Sequence, residues 1–218
     1  MRLPPATAGL LWALGIGFLL QQFLPEPLLI YFALWPLGDH PVGVTPDGDL
    51  LSVGFLPWQV ITYGFLHGDF VHLFFNAFAL YMFGAPLEMT WGRQRFLTYF
   101  LVCVAGAGLI QLLVATSGVT GQGIYPTIGA SGGVFGLLLA YGMLFPNQRV
   151  MLLIPPIPMK ARTFVIVFGA IELGMGVFAS NSGIAHFAHL GGMLFGWLVI
   201  RYWRGQPPFR PRGPRLVR

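Results

Sequence analysis

One serine, a handful of histidines and an asparagine stand out in a chain that is otherwise mostly apolar. Ser131 lies within I-G-A-S-G-G-V-F-G (128–136), hemmed in by glycines at the start of an apolar run. His189 opens another run in A-H-L-G-G-M-L-F-G (188–196), and His72 and Asn76 sit four apart in H-G-D-F-V-H-L-F-F-N (67–76). A serine about 2.6–3.2 Å from an imidazole is an activated nucleophile. At a helix start it also sits beside backbone N–H groups that have no intrahelical acceptor, and beside the positive end of the helix dipole, which suits a developing oxyanion. Residues four apart on a helix share a face, so His72 and Asn76 can point at the same spot. The chemistry implied is acyl transfer, with Ser131 as nucleophile and His189 as general base.

The elements that must bring these residues together are membrane helices. Of 218 residues 56% are hydrophobic and 9% charged, against about 25% charged in soluble domains. Apolar runs long enough to approach a bilayer span occur at about 7–24, 69–88, 96–116, 131–146, 161–180 and 188–203. The first is read as a retained helix, because no A-x-A-like cleavage site follows it before Pro25-Glu26-Pro27. The expectation is one all-α membrane domain over 1–204, followed by a disordered Pro/Arg-rich tail over 205–218 that can touch anionic lipid. The twelve Lys and Arg fall before run 1, between 2 and 3, between 4 and 5, and after 6, and no other connection holds any. By the positive-inside rule both termini are cytoplasmic. The +5 net charge is therefore a topology signal and gives no reason to expect nucleic acid.

Depth follows from helix length. Ser131 to Phe145 spans about 22 Å at 1.5 Å per residue, short of a hydrocarbon core about 30 Å thick. With its foot at the inner face, this helix leaves Ser131 roughly 8 Å below the outer face, and non-helical backbone before it at that depth must line a wet cavity or be buried in protein. Gly132 and Gly136, and Gly192 and Gly196, form two small-xxx-small faces that allow close helix approach, a pattern that also serves packing alone.

Other polar residues receive quieter readings. Cys103 lies inside an apolar run and reads as packing. Glu172, near the middle of the 161–180 run, is placed about half the membrane from the serine, protonated or hydrogen-bonded to a neighbouring helix. Glu88 reads as an inner ion-pair or capping residue, and Pro46-Asp47-Gly48 as a turn. The histidines of the outer side raise a metal or haem site as a rival, since imidazole suits zinc and iron. Yet no HExxH occurs and the only nearby carboxylate is Asp69, so no metal and no cofactor is assigned.

The motifs G-A-S-G (129–132), H-G-D-F-V-H-L-F-F-N and A-H-L-G-G-M-L-F-G, in order on runs 2, 4 and 6, resemble the signatures of rhomboid intramembrane serine proteases. Pro57-Trp58, F-G-A-P-L-E-M-T-W-G (83–92) and F-P-N (145–147) fit the bacterial members. The resemblance implies a six-helix bundle with a partly membrane-embedded outer loop between helices 1 and 2. It implies a Ser131–His189 dyad with no acidic third member, and an oxyanion hole from His72, Asn76 and the Ser131 amide. Phe135 would lie against the His189 ring, and Gly129, Gly132, Gly192 and Gly196 would support the dyad by packing. The stretch S-N-S-G-I-A-H-F (180–187) would form a cap, with His67 and His186 shaping loop and cap. Two positions depart from some relatives, Gln59 where an arginine can follow the tryptophan and Tyr63 where a further histidine can stand. The partners implied are transmembrane segments of membrane proteins and the bilayer, in a bacterial cytoplasmic membrane with the site opening outward. The alternatives are a catalytically silent relative that binds membrane clients, and a His-rich metal or haem protein.

Overall fold

Pro5 at the first helical position starts α1 (Pro5–Phe23), where its missing N–H costs nothing and its fixed φ is already helical. The remaining N-terminal donors are met from a distant helix: the Glu88 carboxylate accepts from Ala6 N at 2.8 Å, Thr7 N at 2.6 Å and Thr7 Oγ1 at 2.8 Å. Glu88 is thus a cap for α1 and pins it to the C-terminal end of the second long helix. The computed structural model describes residues 3–44, 48–118, 123–151, 156–178 and 185–209. Most of the predicted cap (180–184), Pro46 and Asp47 of the predicted turn, and the tail from 210 onward lie outside them.

After α1 the long connection to the second long helix folds into α2 (Pro25–Phe32), an antiparallel hairpin of β1 (His40–Val44) and β2 (Leu50–Val53), and α3 (Gln59–Thr62) running into a 3₁₀ turn (Tyr63–Phe65). Asp69 caps α4 (Phe70–Ala79), accepting from His72 N at 2.8 Å. A π turn (Leu80–Gly84) joins α4 to α5 (Ala85–Trp91) just before Pro86, which has no N–H to give the preceding turn. Then follow α6 (Arg93–Ser117), α7 (Ser131–Leu144), a small hairpin of β3 (Arg149–Met151) and β4 (Pro158–Lys160), α8 (Ala161–Phe178) and α9 (His186–Arg204).

Helices therefore stand at all six apolar runs, with ends within a few residues of those expected. Pro5–Phe23, Phe70–Trp91, Arg93–Ser117 and Ala161–Phe178 are long and apolar enough to cross a membrane, whereas the apolar Ser131–Leu144 is shorter. The all-α expectation is corrected by the two hairpins. Both lie in connections, where the chain must reverse between helices, and each pairs its own backbone groups locally.

The centre of the molecule is α6, α7 and α9, with α8 packed on α7 and α9. Glycine makes the α7–α9 crossing. A Cβ on Gly192 would run into the Gly132 carbonyl, and one on Gly136 would run into the Cys103 side chain of α6. Cys103 is fully buried there, as packing requires. At the other end of these helices Trp91, Tyr99 and Trp203 form one aromatic cluster, with ring centroids 4.9 and 5.3 Å apart about Trp91 and the Arg95 guanidinium over Trp203. Aromatic and basic groups together suit a membrane–water boundary.

Candidate active site

Two backbone ties position Ser131. The segment before it pairs with the outer connection through Leu34 and Thr127, which exchange N–H···O bonds of 3.0 and 2.9 Å. Next, Gly129 N donates to the Tyr63 carbonyl at 2.9 Å, while the Tyr63 hydroxyl donates to the Val104 carbonyl of α6 at 2.8 Å. Tyr63 is thus a buried strut between α6 and the turn that carries the serine. Gly129 has φ +122°, backbone that favours glycine. A Cβ there would also sit 2.7 Å from His72 Nε2 and 3.8 Å from Ser131 Oγ, so glycine lets His72 close on the serine.

On the opposite side the α7–α9 crossing delivers the histidine. His189 Nε2 is 2.7 Å from Ser131 Oγ, a full hydrogen bond. The Phe135 ring, one turn along α7, stacks on the imidazole with centroids 4.3 Å apart and planes at 9°. Gly68 N donates to His72 Nδ1 at 3.4 Å, long but directional, which leaves the proton of a neutral His72 on Nε2, the nitrogen on the Gly129 side. The Asn76 amide donates to the His72 carbonyl at 3.2 Å. Ser131, His189, His72, Asn76 and Phe135 all line one cavity of about 750 Å³, which runs between α4 and α8 from Asp69 and Ala185 down past Phe164 and Phe168 to Met151.

Glu172 is where the sequence reading is corrected. Its Oε2 lies 2.9 Å from His189 Nδ1 and 2.6 Å from His186 Nδ1. The serine's partner therefore has a carboxylate behind it, and Glu172 is two hydrogen bonds from Ser131, not half a membrane away. The interhelical hydrogen bond expected of it is present, made to α9. Asp69 is accordingly not the only carboxylate near the histidines. Glu172, His186 and His189 place three donor atoms within 4.8 Å of one another, a grouping that invites a metal. Ligand atoms around a tetrahedral ion with bonds of about 2.0–2.1 Å sit about 3.3 Å apart, however, and contacts of 2.6 and 2.9 Å to a shared oxygen are hydrogen-bond lengths.

His67 stands apart from this cluster. It is 2% exposed, and its ring meets that of His72 edge-on at 5.0 Å. Burial first, then neighbouring His72, pushes its pKa down to about 4, so at neutral pH it is an uncharged packing group under the site. The connection after α1 is held by Gln59, fully buried, whose Oε1 accepts from Leu56 N and Trp35 N at 3.1 and 3.3 Å. A departure from relatives in the sequence is thus an internal backbone clamp in the structure.

Taken together, these features define a mostly helical integral membrane protein with a serine and a histidine hydrogen-bonded at the heads of two tightly crossed helices. The family profile for the Rhomboid domain matches residues 55–205, which takes in every residue named around the cavity. The chain belongs to the rhomboid family. It is 30% identical to Rhomboid protein 1, mitochondrial, of Saccharomyces cerevisiae over 66% of this chain and 42% of that protein. Two Bacillus subtilis proteins are similar: Rhomboid protease GluP, 31% identical over 73% of this chain and 28% of that one, and Putative rhomboid protease YdcA, 33% identical over 65% of each. The chain thus spans from 28% to 65% of the length of these curated relatives.

Proposed function

We propose that this protein is an intramembrane serine endopeptidase of six spans, hydrolysing peptide bonds in or near transmembrane segments. The observation that carries the reading is the 2.7 Å contact between His189 Nε2 and Ser131 Oγ at the wall of a cavity of about 750 Å³. Ser131 attacks the peptide carbonyl while His189 takes its proton. His72 Nε2–H, the Asn76 amide and the Ser131 N–H receive the oxyanion. His189 then returns the proton to the leaving amine, and water releases the acyl-enzyme.

The cavity lies between α4 and α8, so a substrate segment enters sideways from the bilayer. A helical substrate hides its carbonyls in hydrogen bonds and must unwind first. Segments with Gly, Pro or polar residues near the outer face are therefore favoured. The arginines at the foot of α6 and α9 and in the β3–β4 hairpin support a cytoplasmic position for that end, with both termini there and the site opening to the far side. The host membrane in this reading is a bacterial cytoplasmic one, as the motif resemblance implies, and two of the similar proteins come from Bacillus subtilis. The test is cleavage of a model transmembrane substrate in proteoliposomes. Ser131→Ala should abolish it with the fold intact, and retained turnover refutes the assignment. A client-binding protein without chemistry would show no Ser131-dependent cleavage at all.

A further inference from the structure

The side chains of α8 mostly face outward. Ile166, Ile171, Leu173, Val177 and Phe178 are exposed, as lipid-facing residues are. Ala161, Phe164, Val165, Gly176 and Glu172 face inward, and Glu172 is the one acid among them, 9% exposed and turned toward two histidines of α9. A carboxylate only accepts, whereas a neutral imidazole has one donor nitrogen and one acceptor. With His186 Nδ1 at 2.6 Å and His189 Nδ1 at 2.9 Å from the same oxygen, both nitrogens must donate. That places the His189 proton on Nδ1 and leaves the Nε2 lone pair facing the Ser131 hydroxyl, the only neutral tautomer able to accept the serine proton.

We propose that Glu172 is a positioning residue that completes a hydrogen-bonded series Ser131–His189–Glu172, with His186 holding the carboxylate in place. This rests on the Ser131–His189 reading above and deepens it. Glu172 acts twice. In the resting state it selects the tautomer and, with Phe135 against the ring face, fixes the plane of the imidazole. In the transition state it stabilises the imidazolium that forms when the proton moves from Ser131 Oγ to His189 Nε2. A fixed negative charge 2.9 Å away, screened from water by α8 and α9, is well placed for this. Among the described residues the ionisable groups around His189 are Glu172 from α8, His186 from its own helix and His72 from α4, and Glu172 is the one anion of these.

A purely structural tie between α8 and α9 would show the same hydrogen bonds, so the test must separate tie from catalysis. The probe is a small fluorophosphonate, which needs the nucleophile and base but no displacement of α8. Glu172→Gln keeps the size and an acceptor oxygen and removes the charge. Its thermal melt should stay near wild type, while its labelling rate and its kcat on a transmembrane substrate should both fall about 10- to 100-fold, the range of one hydrogen bond to a charged group, with KM unchanged. Wild-type labelling in Glu172→Gln, or a change confined to KM, overturns the proposal and leaves the serine–histidine reading standing. A wild type that does not label, or a Ser131→Ala that does, overturns the earlier reading and this one with it. If Glu172→Gln does not fold, His186→Ala decides. Freeing the carboxylate from its second donor should slow labelling about 3- to 10-fold, and an unchanged rate counts against the proposal.

Discussion

Replacing Gly192 with alanine tests how closely the site depends on one helix crossing. The new Cβ would point at the Gly132 carbonyl oxygen, well inside contact distance. A carbon–oxygen contact settles at about 3.3–3.6 Å, so α7 and α9 must separate by more than about 1 Å. Gly132 is next to Ser131, and Gly192 is three residues past His189 on the same helix. The 2.7 Å hydrogen bond therefore opens beyond about 3.5 Å, where it no longer counts as one. Misplacement of about 1 Å at a reacting centre costs up to about 10²-fold in rate, and overpacking costs about 1–3 kcal/mol of stability. The assay is the second-order rate of fluorophosphonate labelling in detergent micelles, read beside a thermal melt. Gly174→Ala on α8, where nothing lies within 4 Å, is the control and should label at the wild-type rate. If Gly192→Ala labels within about twofold of wild type, the close crossing does not set the site, since about 10² is expected.

Three further outcomes follow from particular contacts. Asn76→Ala should lower kcat about 10²–10³-fold if its amide serves the oxyanion, and an unchanged kcat would assign Asn76 to its bond with the His72 carbonyl. Glu88→Ala removes three hydrogen bonds at the head of α1 and should lower stability by about 2–3 kcal/mol, read as a drop in Tm with a normal labelling rate per folded molecule. His67 binds its proton less readily folded, at about 4, than unfolded, at about 6.5. The unfolded chain therefore takes up the proton first as pH falls from about 6.5 to about 4, and stability drops over that window by up to about 3 kcal/mol, with no further loss below it. His67→Gln should flatten that part of the Tm-against-pH curve, and an identical curve would contradict the assignment.

What could be read from the sequence, and what could not, follows from physical cost. Ser131, His189, His72 and Asn76 are conspicuous because polar groups inside apolar runs are expensive and few, and helix periodicity places each near the head of its element. The glycines at 132, 136, 192 and 196 are legible by spacing. Glu172 was within reach of the same arithmetic. It lies six residues before Phe178, the last described residue of α8, about 9 Å at 1.5 Å per residue and close to the depth expected for Ser131. The middle of an apolar run is not the middle of the membrane when the residue it must reach lies near one end of a short neighbouring helix. The outer connection was less legible. Its hairpin pairs residues 6 to 13 positions apart with no strong alternation to announce it, and the Gln59 clamp reaches Trp35, 24 positions away. The burial of His67 is likewise set by tertiary packing alone.

The central claim is that the Ser131 hydroxyl is activated by His189 within the bilayer. The most direct measurement is covalent attachment of a fluorophosphonate to the protein in liposomes, with the modified residue located by peptide mass mapping. The account predicts a single adduct on Ser131 in the wild type and none in His189→Ala at the same exposure. An adduct elsewhere, or equal labelling of Ser131 without the imidazole, would contradict it.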